Sequence, residues 1–145
     1  MKQDILIVDD EADIRRLVAD ILTDEGYSVN QAATGEQTIE IIHSTCPPHL
    51  ILLDVWLNDQ KYDGLQLLDI ILKRFPDIPV IMISGHSTIE TAVSALSRGA
   101  VDFLEKPFKT DRLLLSVNRN LENYRLKREN AALKERLINH DEIFG

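Results

Sequence analysis

ILIVDDE, residues 5–11, decides the fold. Four branched apolar residues, Ile5 to Val8, run directly into three acids, Asp9, Asp10 and Glu11. A run this short, apolar on both faces, suits a parallel strand buried between two layers of helices. Leu50–Leu53, ending in Asp54, and Val80–Ile83, ending in Ser84-Gly85, are built the same way. Tyr27–Ala33 alternates and reads as an edge strand, and Val101–Leu104 leads into Lys106-Pro107. Amphipathic segments fill the gaps. Ile14, Leu17, Val18, Ile21 and Leu22 share one helical face, with Gly26 as the stop. Thr34-Gly35 opens a second helix that ends at Pro47-Pro48. Gly64–Phe75 is a third, stopped by Pro76. Ser87–Arg98 is a fourth, capped by Ser87 or Thr88 and stopped by Gly99, and a fifth begins near Thr110 or Asp111. Five strand–helix alternations predict an α/β domain: a doubly wound, five-stranded parallel sheet flanked by five helices.

Composition narrows the function. The 145 residues carry 16 Lys and Arg against 24 Asp and Glu, a net charge of −8, which repels nucleic acid and anionic membranes. No apolar run reaches the length of a membrane span, and MKQDILIVDD lacks the features of a signal peptide. Cys46 is the one cysteine, so there is no internal disulfide and no thiolate zinc cage. These features point to a reducing cytoplasm.

In a doubly wound sheet the ligand crevice lies beyond the carboxyl ends of the strands. Asp9 and Asp10 end the first strand, Asp54 the third, Ser84 the fourth, and Lys106 follows the fifth. Taken singly, each has a plain alternative. Asp9 or Asp10 can cap a helix, Asp54 or Ser84 can start a turn, and Lys106 can be a solvated surface lysine. Their conjunction on one sheet edge favours chemistry. Three carboxylates from neighbouring strands repel one another unless a hard cation sits among them, and an all-oxygen set with few protein ligands suits Mg²⁺. Carboxylates, Mg²⁺, a lysine and a hydroxyl together describe phosphoryl transfer onto an aspartate.

The motifs IVDDE, LILLD, IMISGH and FLEKPF, in this order and spacing over residues 4–124, resemble the receiver domain of two-component response regulators. Within that family DVWLNDQKYDGLQLL and SGHSTIETAVSALSRGAVDFLEKPF resemble NtrC-type transcriptional activators, in particular the NtrX branch. The resemblance implies the flavodoxin- or CheY-like strand order 2-1-3-4-5. It implies that Asp54 accepts a phosphoryl group from a sensor histidine kinase, and that Mg²⁺ is held by Asp9, Asp10, Asp54 and the backbone carbonyl of Trp56. Lys106 then neutralises phosphoryl oxygens, its bond to Pro107 being cis, and Ser84 and Phe103 form the switch. The expected output is transcriptional, in nitrogen or redox regulation. The protein is expected not to be an enzyme beyond slow autodephosphorylation. Two departures stand out. The segment between Asp54 and Gly64, with Asn58, Asp59, Gln60 and Lys61, is longer than in most such receivers and lacks their Pro, and the switch aromatic is Phe rather than Tyr.

No helix breaker occurs from Thr110 to Leu137, a stretch of about 40 Å as helix. Leu114, Val117, Leu121 and Tyr124 form a stripe suited to facing the sheet, and Leu126, Asn130, Leu133 and Leu137 follow heptad spacing. The expected organisation is a receiver over 1–124 and a helical linker over 125–145, leading through HDEIFG towards an AAA+ domain absent from this chain. A homodimer through the fourth and fifth helices and the C-terminal helix is expected. This fragment is expected not to touch nucleic acid or membrane, while the full-length protein is expected to bind DNA. Two rival readings are a degenerate receiver that only binds partners and an Asp-nucleophile phosphohydrolase of the haloacid dehalogenase type. The second requires a general acid two residues after Asp54, where Trp56 stands.

Overall fold

The computed structural model describes residues 3–44, 46–57, 62–86 and 88–144, with side-chain surroundings for all of these except 44 and 134–144. The elements alternate as expected: β1 (Asp4–Val8), α1 (Ala12–Asp24), β2 (Ser28–Ala32), α2 (Gly35–Ser44), β3 (Leu50–Asp54), α3 (Gly64–Arg74), β4 (Val80–Ser84), α4 (Ile89–Ser97), β5 (Asp102–Glu105) and α5 (Thr110–Phe144). All pairings are parallel and the strand order is β2-β1-β3-β4-β5. The weak alternating run is the edge strand β2, as its half-polar sequence requires.

Alternate residues of each central strand feed opposite layers, the two-residue period of a strand. Leu6, Val8, Ile51, Leu53, Val80 and Met82 pack with Ile42 of α2, Leu67, Leu68 and Ile71 of α3 and Ala95 of α4. Ile5, Ile7, Leu50, Leu52, Ile81 and Ile83 pack with Val18, Ala19 and Leu22 of α1 and Leu113, Val117 and Leu121 of α5. Burying a side chain of this size contributes about 1.5–3 kcal/mol, so these two layers fix the strands and with them the strand ends.

The helix ends follow local chemistry. Asp63 and Gln66 form a reciprocal capping box at the start of α3. Thr88, one of the two caps the sequence offered, caps α4 by accepting from Thr91 N, and Ser87 lies outside the described residues. Gly26 and Gly99 take φ of +96° and +113° where α1 and α4 end, a conformation that costs other residues a Cβ clash. In α5 the buried stripe is Leu113, Val117 and Leu121. Leu114 is only partly covered, so the expected stripe is shifted by one residue at its start. The helix runs on through HDEIF to Phe144. No helix among the described residues is long and apolar enough to cross a membrane.

Candidate functional site

The register brings the polar strand ends together. Val8 lies beside Leu53, so Asp9 follows β1 next to Asp54 at the end of β3. Asp54 lies beside Ile83, so Ser84 is one residue further along β4. Ser84 pairs with Glu105, and Lys106 N donates to Ser84 O at 2.7 Å, which returns the Lys106 side chain to the same edge. The Lys106–Pro107 bond is cis.

Carboxylate oxygens of Asp9, Asp10 and Asp54 lie within 4.8 Å of one another. Asp9 and Asp54 are buried, whereas Asp10 is more open. Lys106 Nζ reaches Asp9 Oδ2 at 2.8 Å, and Asp54 Oδ2 and Glu11 Oε1 at 3.5 Å each. The ammonium lies off the hydrogen-bond direction of Asp9 Oδ2. That buried oxygen therefore carries an ion pair but no hydrogen bond within the described residues. One lysine facing this many acids leaves negative charge uncompensated, and a hard divalent cation fits both the oxygen donor set and the under-coordinated Asp9 oxygen.

The electrostatics agree. Burial, followed by the nearby charge of Asp9, pushes the Asp54 carboxyl up to about 6. Lys106 and the Trp56 N–H pull the other way and are outweighed. Burial disfavours the charged form of Lys106, but its close ion pair with Asp9, with the charges of Asp54 and Glu11, holds it above the usual lysine range.

Two backbone approaches shape the floor. Gly64 N donates to Val55 O at 3.0 Å. A Cβ on Gly64 would stand 2.1 Å from Asp54 O and 2.6 Å from Val55 Cα, so only glycine lets α3 start this close to the loop after β3. Trp56 N donates to Asp54 Oδ1 at 3.2 Å, which orients that carboxylate.

The Response regulator receiver domain family matches residues 5–118. The chain belongs to the response regulator receiver family. The receiver is 54% identical over 135 residues to the nitrogen assimilation regulatory protein NtrX of Azorhizobium caulinodans, covering 93% of this chain and 30% of that protein. It superposes on the crystal structure of the receiver domain of NtrX from Brucella abortus with TM-score 0.78 and 55% identity, over 82% of this chain and 98% of that one. It is also similar to the beryllofluoride-activated NtrC4 receiver domain dimer, with TM-score 0.77 and 40% identity over 83% of this chain and 98% of the other. The NtrX-type resemblance read from the motifs is thus shown, and the chain spans about 30% of the length of the curated relatives it matches.

Among the residues predicted from sequence, the receiver brings Asp9, Asp10, Asp54, Lys106 and Ser84 to one edge. Phe103 lies half-buried on β5, packed against the α3–α4 layer, three residues before Lys106. Asn58 to Lys61 lie outside the described residues. Sequence reasoning gave Gly64 only the role of a helix start. The signal was present as a glycine at the first helical position directly after a good cap. It also missed the Trp56 side chain, whose Nε1 donates to His86 O at 3.1 Å, because that contact joins two loops 30 residues apart.

Proposed function

We propose that Asp54 is the phosphoacceptor of an NtrX-type response regulator. The observation that carries this is the buried Asp54 carboxylate flanked by Asp9, Asp10 and Lys106 on the carboxyl edge of the sheet. A carboxylate oxygen of Asp54 attacks the phosphorus of a phosphohistidine on a sensor histidine kinase. The P–O bond forms, the P–N bond breaks, and the imidazole leaves with the electron pair. Lys106 supplies positive charge where phosphoryl oxygens gather, and Ser84 offers a hydroxyl donor. Asp9, Asp10 and Asp54, with the Trp56 carbonyl, are the residues to hold Mg²⁺. When bound, the ion neutralises the carboxylates and stabilises charge on the phosphoryl oxygens.

The chain acts as a switch and not as a turnover enzyme, with slow autodephosphorylation at most. Phosphorylation draws Ser84 towards the phosphoryl oxygens and lets Phe103 turn inward beneath α4. The output face is the α4–β5–α5 side. Ile89 of α4 is 84% exposed, and Val93 and Leu96 are exposed on the same helix, with Val101 and Leu115 also exposed on β5's approach and α5. Such an apolar surface suits a homodimer, extended by Leu126 and Leu133 along α5. Residues 1–124 form the receiver, and 125–145 begin a helical linker towards an AAA+ domain in the full-length protein. That protein works in the cytoplasm as a DNA-binding regulator, in nitrogen control by analogy with the NtrX name.

The test is calorimetric titration with beryllofluoride in Mg²⁺. Binding by the wild type and its loss in Asp54→Asn support the reading. Undiminished binding by Asp54→Asn would overturn it.

A further inference from the structure

Three hydrogen bonds run in series across the mouth of the site. Trp56 N donates to Asp54 Oδ1 at 3.2 Å, Trp56 Nε1 donates to His86 O at 3.1 Å, and His86 N donates to Ser84 Oγ at 3.2 Å. The chain begins on one proposed reactive group, Asp54, and ends on another, Ser84. Its middle link is an indole that is 53% exposed. Core packing therefore does not dictate where that ring sits, and an indole N–H is a donor with no alternative role. The sequence places the two residues 30 positions apart, and among the described residues this bond ties one loop to the other.

We infer that the Trp56 indole is a positioning latch that holds the β4–α4 loop in its resting arrangement. The inference rests on the reading of Asp54 as phosphoacceptor. Ser84 Oγ accepts from the backbone of His86, so a Ser84 hydroxyl drawn towards a phosphoryl group pulls the residue-86 backbone with it. The His86 carbonyl then leaves the indole. The latch is made only in the resting state, so it opposes the switch by the net worth of one neutral hydrogen bond. A ligand that selects the switched state binds with an apparent affinity scaled by the population of that state. Deleting the latch donor raises that population.

The experiment compares wild type and Trp56→Phe, which keeps a ring and deletes the donor, by calorimetric titration of the full chain with beryllofluoride in Mg²⁺. Trp56→Phe is expected to bind roughly two- to tenfold more tightly, the range for one neutral hydrogen bond. A residue that merely supported the site would weaken binding when altered. Trp56 is the one tryptophan of the chain, so its emission reads the latch without any substitution. Wild-type emission is expected to change on beryllofluoride binding, and Ser84→Ala, which has no hydroxyl to pull, to lose most of that change. Unchanged or weaker binding by Trp56→Phe, or unaltered wild-type emission despite measured binding, would overturn the latch alone. No binding by the wild type would overturn the phosphoacceptor reading, and the latch with it.

Discussion

Replacing Asp54 by Asn removes the charge and keeps the shape, and the metal-free protein should become more stable at neutral pH. The Asp54 carboxyl titrates at about 6 in the fold, against 3.8 for an unperturbed aspartate. The folded state therefore holds this proton more tightly than the unfolded chain does. Ionisation costs the fold stability as pH rises from about 4 to about 6, and the cost is constant above that interval. At pH 7 the interval corresponds to about 3 kcal/mol. The side chain is 3% exposed, so solvent screens it little. Relaxation of Lys106 towards the vacated charge lowers the gain, and about 1–3 kcal/mol is the expected range. The assay is urea unfolding with chelator present, at pH 7 and at pH 4. Asp54→Asn should exceed wild type at pH 7 and match it at pH 4. Added Mg²⁺ should stabilise wild type more than the variant, because the cation relieves the same repulsion. Equal stability at pH 7 without metal would refute the account of the carboxylate cluster.

Gly64→Ala should lower stability by about 1–3 kcal/mol, seen as a fall in Tm, because its Cβ meets the Asp54 carbonyl at 2.1 Å and backbone must shift. Asp102 is partly buried, but Arg112, Ser116 and the Phe103 N–H hold its carboxyl below the usual range, so its contribution is present at neutral pH and lost as pH falls below about 4. Asp102→Asn should therefore be less stable than wild type at pH 7, with the difference shrinking as pH falls below about 4 in pH-resolved unfolding. Ser84→Ala should still be phosphorylated while its NMR spectrum loses most of the phospho-dependent shift around residues 86–104. Sedimentation of the full chain and of a version ending at Tyr124 should show weak dimers that the phosphoryl mimic tightens, salt helping against the −8 charge, with the longer chain associating more.

The sheet was legible because Ile5–Val8, Leu50–Leu53 and Val80–Ile83 are apolar on both faces, short and rich in branched residues, which together favour a strand covered on both sides. The strand ends were legible for a related reason: acids directly after such runs fall at the carboxyl ends of parallel strands, where the crevice lies, and several of them together favour a site. Lys106 and Ser84 needed the conjunction with those acids on one sheet edge, since a lone lysine or serine reads as surface. Helix boundaries were less legible. α4 begins at Ile89 because Thr88 supplies the cap, and the sequence alone could not choose between it and Ser87. Contacts between distant loops left no trace in the pattern. Gly64 against the Asp54 carbonyl and the Trp56 indole against His86 O depend on how two chain segments meet in space. Neither contact produces any periodicity.

The central claim is tested most directly by locating the phosphoryl group. The chain is incubated with acetyl phosphate and Mg²⁺, reduced with borohydride, which converts an aspartyl phosphate to homoserine, and digested for tandem mass spectrometry. The account predicts homoserine at position 54 and nowhere else, and none in Asp54→Ala or when Mg²⁺ is chelated. Homoserine at another aspartate in the wild type, or phosphoryl incorporation that persists in Asp54→Ala, would contradict it.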